Sequence, residues 1–170
     1  MNETNIVLIG FMAAGKSTVA QKLAELCKRP VISTDKLIEQ REKSTIAHIF
    51  ATKGEMYFRA AEARAVEVVS KKKNAIIDCG GGVVLNSKNI AALKKNGRLF
   101  YLAASVDVIS KRAKNNKERP LLNVADQKET ITSLLAKRQP LYNQANHMID
   151  TDTKTIEQIC KEIVRVMDEK

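Results

Sequence analysis

The chain has 170 residues, of which 44% are hydrophobic, and it carries 29 Lys and Arg against 19 Asp and Glu for a formal net charge of +10. That length suits one domain with a substantial core, and seven glycines and three prolines are too few for a disordered or collagen-like chain. The charge is spread almost evenly, 13 basic and 9 acidic groups in residues 1–85 against 16 and 10 in residues 86–170, and aromatics are only 4%. A nucleic-acid binder would concentrate its basic groups and offer stacking platforms, so no nucleic-acid partner is expected.

The first element predicted is a strand, the apolar run Asn5-Ile6-Val7-Leu8-Ile9, ended by Gly10. Val19, Leu23, Leu26 and Cys27 then recur on one helical face, and that helix stops at Arg29-Pro30. Val31-Ile32 reads as a second strand, and residues 36–53 as helix in two pieces. Gly54 starts a longer helix that runs to about Lys72. Ala75-Ile76-Ile77 is a third strand, broken by Gly80-Gly81-Gly82. A helix near 87–96 leads into strand Arg98–Leu102, and helix 105–114 follows. Helix 127–145, strand Met148-Ile149 and a final helix bearing Ile156, Ile159, Cys160, Ile163, Val164 and Met167 at spacings of three and four complete the chain. Strands apolar throughout, each followed by a helix, predict an α/β three-layer sandwich: a five-stranded parallel sheet covered by helices on both faces. Ligands in such sheets bind beyond the carboxyl ends of the strands.

Other features bound the setting. No apolar run approaches the roughly 18 residues of a membrane span, and Met1-Asn2-Glu3-Thr4 does not open a signal peptide. Cys27, Cys79 and Cys160 have neither paired nor metal-like spacing; Cys27 and Cys160 fall on apolar helix faces and are expected in the core, with Cys79 buried at a strand end. His48 and His147 belong to no motif and are expected to be structural. A cytoplasmic monomer without a membrane partner is expected.

At the end of the first strand lies Gly10-Phe11-Met12-Ala13-Ala14-Gly15-Lys16-Ser17-Thr18, a P-loop: two glycines separated by four residues, then Lys and Ser. Small residues let the backbone curl so that the amides of Ala13 to Thr18 face phosphate oxygens, and the following helix adds its positive end. Lys16 reaches the β- and γ-phosphates, and the Ser17 hydroxyl can ligate Mg²⁺. A chance match in a chain of this size is on the order of one per cent. The pattern predicts a nucleoside triphosphate as a ligand, with Mg²⁺ as its companion. One dense basic stretch, Lys111, Arg112, Lys114, Lys117 and Arg119 against Glu118 alone, reads either as a solvated face or as a mobile segment that closes over phosphates.

Other strand ends carry Ser33-Thr34-Asp35, then Phe50-Ala51-Thr52-Lys53-Gly54-Glu55-Met56-Tyr57-Phe58-Arg59, then Gly80-Gly81-Gly82; Arg119-Pro120-Leu121-Leu122 and Arg138-Gln139-Pro140-Leu141-Tyr142 follow. With these five motifs in order, the chain resembles shikimate kinase over essentially its whole length. The resemblance implies a nucleoside-monophosphate-kinase-like P-loop fold spanning 1–170, with a mobile lid at about 112–124. It implies transfer of the ATP γ-phosphate to the 3-hydroxyl of shikimate. It also implies that Arg59, Arg138 and Gly80 to Gly82 bind shikimate, that Asp35 binds it and assists proton loss, that Arg119 stabilises the transferring phosphoryl group, and that Arg112 lies near adenine. Asp35 is a candidate helix N-cap as well, and Arg59 a candidate partner for Glu55 or Glu62 on its own helix. Kinases for gluconate or for nucleoside monophosphates, or a non-catalytic regulatory relative, share the P-loop frame.

Three positions depart from the family. Ser33 stands where an Asp usually holds a metal-bound water, and Ala13 where the loop usually has Gly. Asp78, at the end of strand three, stands where a small neutral residue is usual, and it could supply the missing carboxylate through water, provided the strand register turns it towards the P-loop.

Overall fold

The computed structural model describes residues 3–114 and 125–169. Strands β1 (Asn5–Ile9), β2 (Val31–Ser33), β3 (Ile76–Asp78), β4 (Gly97–Ala103) and β5 (His147–Asp150) form one sheet in the order β2-β3-β1-β4-β5. Every pairing is parallel. The helices are α1 (Lys16–Cys27), α2 (Thr34–Glu42), α3 (Ile46–Val69), α4 (Ser87–Asn96), α5 (Val106–Ala113), α6 (Gln127–Tyr142) and α7 (Ile156–Asp168).

Side chains alternate along β1 and divide the core in two. Ile6 and Leu8 pack with Val19 and Leu23 of α1 and Ile159 and Ile163 of α7. Val7 and Ile9 face the other way, towards Val66 and Val69 of α3, Leu93 of α4, Ile109 of α5 and Tyr142 of α6. With both faces covered, Ile6 to Ile9 are all buried, which is why that stretch of β1 reads as continuously apolar. Helix α7 is held at its start by a capping box between Thr155 and Gln158, and its fully buried Ile163 contributes about 2 kcal/mol relative to exposure. Among the described residues no helix is long and apolar enough to cross a membrane.

The helix break expected between 36 and 53 falls at residues 43–45, where Lys43 adopts left-handed φ 50° and Thr45 caps α3 through its hydroxyl. Gly54, with φ 81° and ψ 172°, is non-helical and divides α3 at a kink into two helical pieces, the second starting where the sequence predicts a longer helix. Two expectations are corrected. Leu26 is 53% exposed although it shares a helical face with the core residues, and Cys27 is only half-buried at the core's edge, unlike buried Cys79 and Cys160. A short 3₁₀ turn at Val83–Leu85 follows the triple glycine and carries no periodic signal in the sequence.

Register aligns the strand ends that matter. Asp78 pairs with Leu8 of β1 on one side and with Ser33 of β2 on the other. The P-loop, the start of α2 and the triple glycine therefore emerge side by side at the carboxyl ends of β1, β2 and β3, where parallel sheets place their ligands.

Candidate active site

The P-loop connects β1 to α1 through residues 10–15. Gly15 occupies the N-cap at φ 93° with no side-chain cap, so the first-turn amides of α1 are open to an anion. Ala13 sits at φ 61°, the left-handed region that its β-carbon disfavours. The Lys16 ammonium folds back on the loop, donating to Gly10 O at 2.9 Å and Phe11 O at 3.0 Å. Ser17 and Thr18 are exposed in the first turn of α1. The Ser17 hydroxyl donates to Asp78 Oδ2 at 2.6 Å. Arg112, from the last turn of α5, donates to Ala14 O at 3.1 Å and Ala13 O at 3.4 Å, so it lies against the loop.

Beside the loop, the triple glycine gathers side chains from three helices. A β-carbon on Gly80 would stand 2.6 Å from Asp35 Oδ1 and 3.1 Å from Glu62 Oε1, so only glycine admits both carboxyl groups. Gly81 O accepts from the Tyr142 hydroxyl at 2.6 Å and from Arg138 Nη1 at 3.5 Å. Arg138 is 4% exposed and lies over the Phe11 ring, 5.7 Å from its centroid. The Arg59 guanidinium abuts Gly82 and bonds Glu62 at 2.8 Å and Glu55 at 3.3 Å. The pairing of Arg59 with Glu55 and Glu62 on its own helix is therefore present, and the same guanidinium borders the glycines.

Burial raises the Glu62 carboxyl above its ordinary pKa, against the opposing pull of Arg59, and the nearby Asp35 charge raises it further. Burial likewise raises the Tyr142 phenol and the Cys79 thiol, keeping both protonated near neutrality. An unreactive Cys79 follows.

Asp35, Arg59, Arg138 and Gly80 to Gly82, scattered over 104 positions in sequence, are therefore brought together next to Lys16 and Ser17. Arg119 and most of the expected lid lie outside the described residues. One expectation is corrected: Asp35 does not cap α2. Ser33 does, accepting from Lys36 N at 3.3 Å, while Asp35 lies in the helix's first turn. Glu62 was legible only as a partner for Arg59; nothing in its spacing distinguishes a surface helix residue from one that is 1% exposed at the centre of a site.

Comparison with known proteins identifies the family. The family model for shikimate kinase matches residues 12–168. A shikimate kinase from Caldanaerobacter subterraneus subsp. tengcongensis is 45% identical over 161 residues, covering 95% of this chain and 94% of that protein. One from Pelotomaculum thermopropionicum is 44% identical over 165 residues, covering 97% and 96%. The solved structure of the Acinetobacter baumannii shikimate kinase in complex with shikimate superimposes with a TM-score of 0.93 at 33% identity, covering 97% of this chain and 93% of that one. The chain belongs to the shikimate kinase family.

Proposed function

We propose that the chain transfers the γ-phosphoryl group of ATP to the 3-hydroxyl of shikimate, giving shikimate 3-phosphate and ADP, a step towards the aromatic amino acids. The observation that carries this reading is the convergence of the Arg59 and Arg138 guanidinium groups with the carboxyl groups of Asp35 and Glu62 on a glycine turn beside a P-loop. Shikimate is a small ring with one carboxylate and three hydroxyls. Arg59 and Arg138 suit the carboxylate, since a guanidinium offers a fork that matches two oxygens. Asp35 suits the hydroxyls, accepting their hydrogen bonds and drawing the proton from the attacking oxygen. The turn of glycines lets the ring approach the backbone.

On the nucleotide side, Lys16 exchanges the carbonyls of Gly10 and Phe11 for β- and γ-phosphate oxygens, and the amides of residues 13–18 enclose the phosphates. Arg112, already against the loop, borders the nucleotide, and Arg119 stabilises the phosphoryl group in flight. The donors present fit Mg²⁺. Ser17 and Asp78 provide hard oxygen atoms, and among the described residues no group of three or more His, Cys, Asp or Glu could hold a metal alone. That suits an ion that keeps much of its water and takes its remaining ligands from phosphates. When bound, Mg²⁺ neutralises charge on the β- and γ-phosphate oxygens.

The test is identification of the product by ¹H–³¹P correlation NMR after incubation with ATP, Mg²⁺ and shikimate. Phosphorus coupled to the proton at carbon 3 is the expected result. Phosphate on another hydroxyl, or faster phosphorylation of gluconate or a nucleoside monophosphate, would overturn the reading.

A further inference from the structure

The Ser17–Asp78 pair is more specific than the P-loop around it. Asp78 closes β3, and its backbone is fixed on both sides: Cys79 N donates to Leu8 O at 3.1 Å, and the Thr34 hydroxyl donates to Asp78 O at 3.5 Å. Asp78 is 7% exposed, so its carboxylate is held at a set position and does not sweep through solvent. The group donating to it at 2.6 Å is the hydroxyl of Ser17, which opens α1 beside Lys16. A hydroxyl has one proton and two lone pairs. With the proton directed to Asp78, the lone pairs of Ser17 turn away from it, and the carboxylate makes the oxygen a better donor to a cation. The register partner of Asp78 on β2, Ser33, has its own side chain engaged in capping α2.

We propose that Asp78 is a positioning residue for the divalent cation that accompanies the nucleotide, orienting Ser17 and accepting from a metal-bound water, so that this chain organises its metal from β3 and not from β2. The proposal rests on the reading of this site as an ATP site, and its test does not use shikimate. Calorimetric titration of ADP into the full chain, at free Mg²⁺ from zero to saturation, reads the gain in ADP affinity that the metal confers.

In the unaltered chain ADP binds more tightly as Mg²⁺ rises. In Asp78→Asn that gain falls by about 10- to 100-fold, the usual cost of removing a group that orients a metal ligand. Without Mg²⁺ the variant binds ADP as well as or better than the unaltered chain, because a negative charge near the phosphates has gone. A purely structural role would instead weaken both conditions alike. Asp78→Ser, with a thermal melt for each variant, guards against a folding defect specific to Asn. An undiminished Mg²⁺ gain, or equal losses with and without Mg²⁺, overturns the proposal. Absence of shikimate turnover, with the Mg²⁺ gain lost in the variants, would count against the kinase reading alone.

Discussion

Gly82 and Arg59 are separated by no more than the room for a hydrogen: a β-carbon at Gly82 would overlap the Arg59 guanidinium. What it would strike is the far end of a flexible side chain and not backbone, so Gly82→Ala should displace Arg59 without unfolding the protein. The expected outcome is a KM for shikimate raised about tenfold or more, a KM for ATP changed much less, and a melting temperature within a few degrees of the original. Steady-state kinetics in both substrates, with a thermal melt, checks it.

Lys16 and Arg59 should separate chemistry from binding. Lys16 meets the phosphates where charge redistributes, so Lys16→Ala should lower kcat by about 100-fold or more. Arg59 serves the acceptor's carboxylate, so Arg59→Ala should chiefly raise the shikimate KM. An unchanged shikimate KM in Arg59→Ala would place the carboxylate elsewhere.

Ala13 sits at φ 61° within the loop. An L-residue there costs about 1–2 kcal/mol, while glycine adds about 0.5–1 kcal/mol of unfolded-chain entropy. The difference favours Ala13→Gly by roughly 0.5 kcal/mol, a rise of about 1–2 °C in melting temperature for a chain of this size. A fall in melting temperature would show that the loop gains from its alanine.

Glu62 makes stability depend on pH with a definite sign. Its folded pKa lies above the ordinary 4.5, chiefly through burial, so the folded chain holds that proton more tightly than the unfolded one. Its contribution is complete below 4.5 and is lost as pH rises through the folded value. The stability of the unaltered chain relative to Glu62→Gln should therefore decline as pH rises from about 4 towards neutrality. Denaturant unfolding of both proteins across that range checks the slope; a relative stability that climbs with pH would mean that Arg59 outweighs the cost of burial.

Much of the fold is legible in the chain because its strands are buried on both faces. Ile6 to Ile9 can be read as strand from composition alone, and the P-loop announces itself by spacing. What escapes is whatever tertiary contact decides. Leu26 has the right helical angle, but an angle does not say how far the neighbouring elements extend along the axis. Ser33 and Asp35 are both good caps, and only the first residue of α2 settles which one serves. Glu62 is spaced as a helix-surface partner for Arg59, and its burial depends on a turn 18 residues later in the chain. Asp78 was legible as an acid at a strand end; its hydroxyl partner depended on the register with β1.

The most direct measurement of the central claim is ADP release by the full chain with ATP and Mg²⁺, in the presence and absence of shikimate. The account predicts slow release without shikimate and release stimulated by orders of magnitude with it, saturating in shikimate. Release that is indifferent to shikimate, with ATP binding intact, would contradict it.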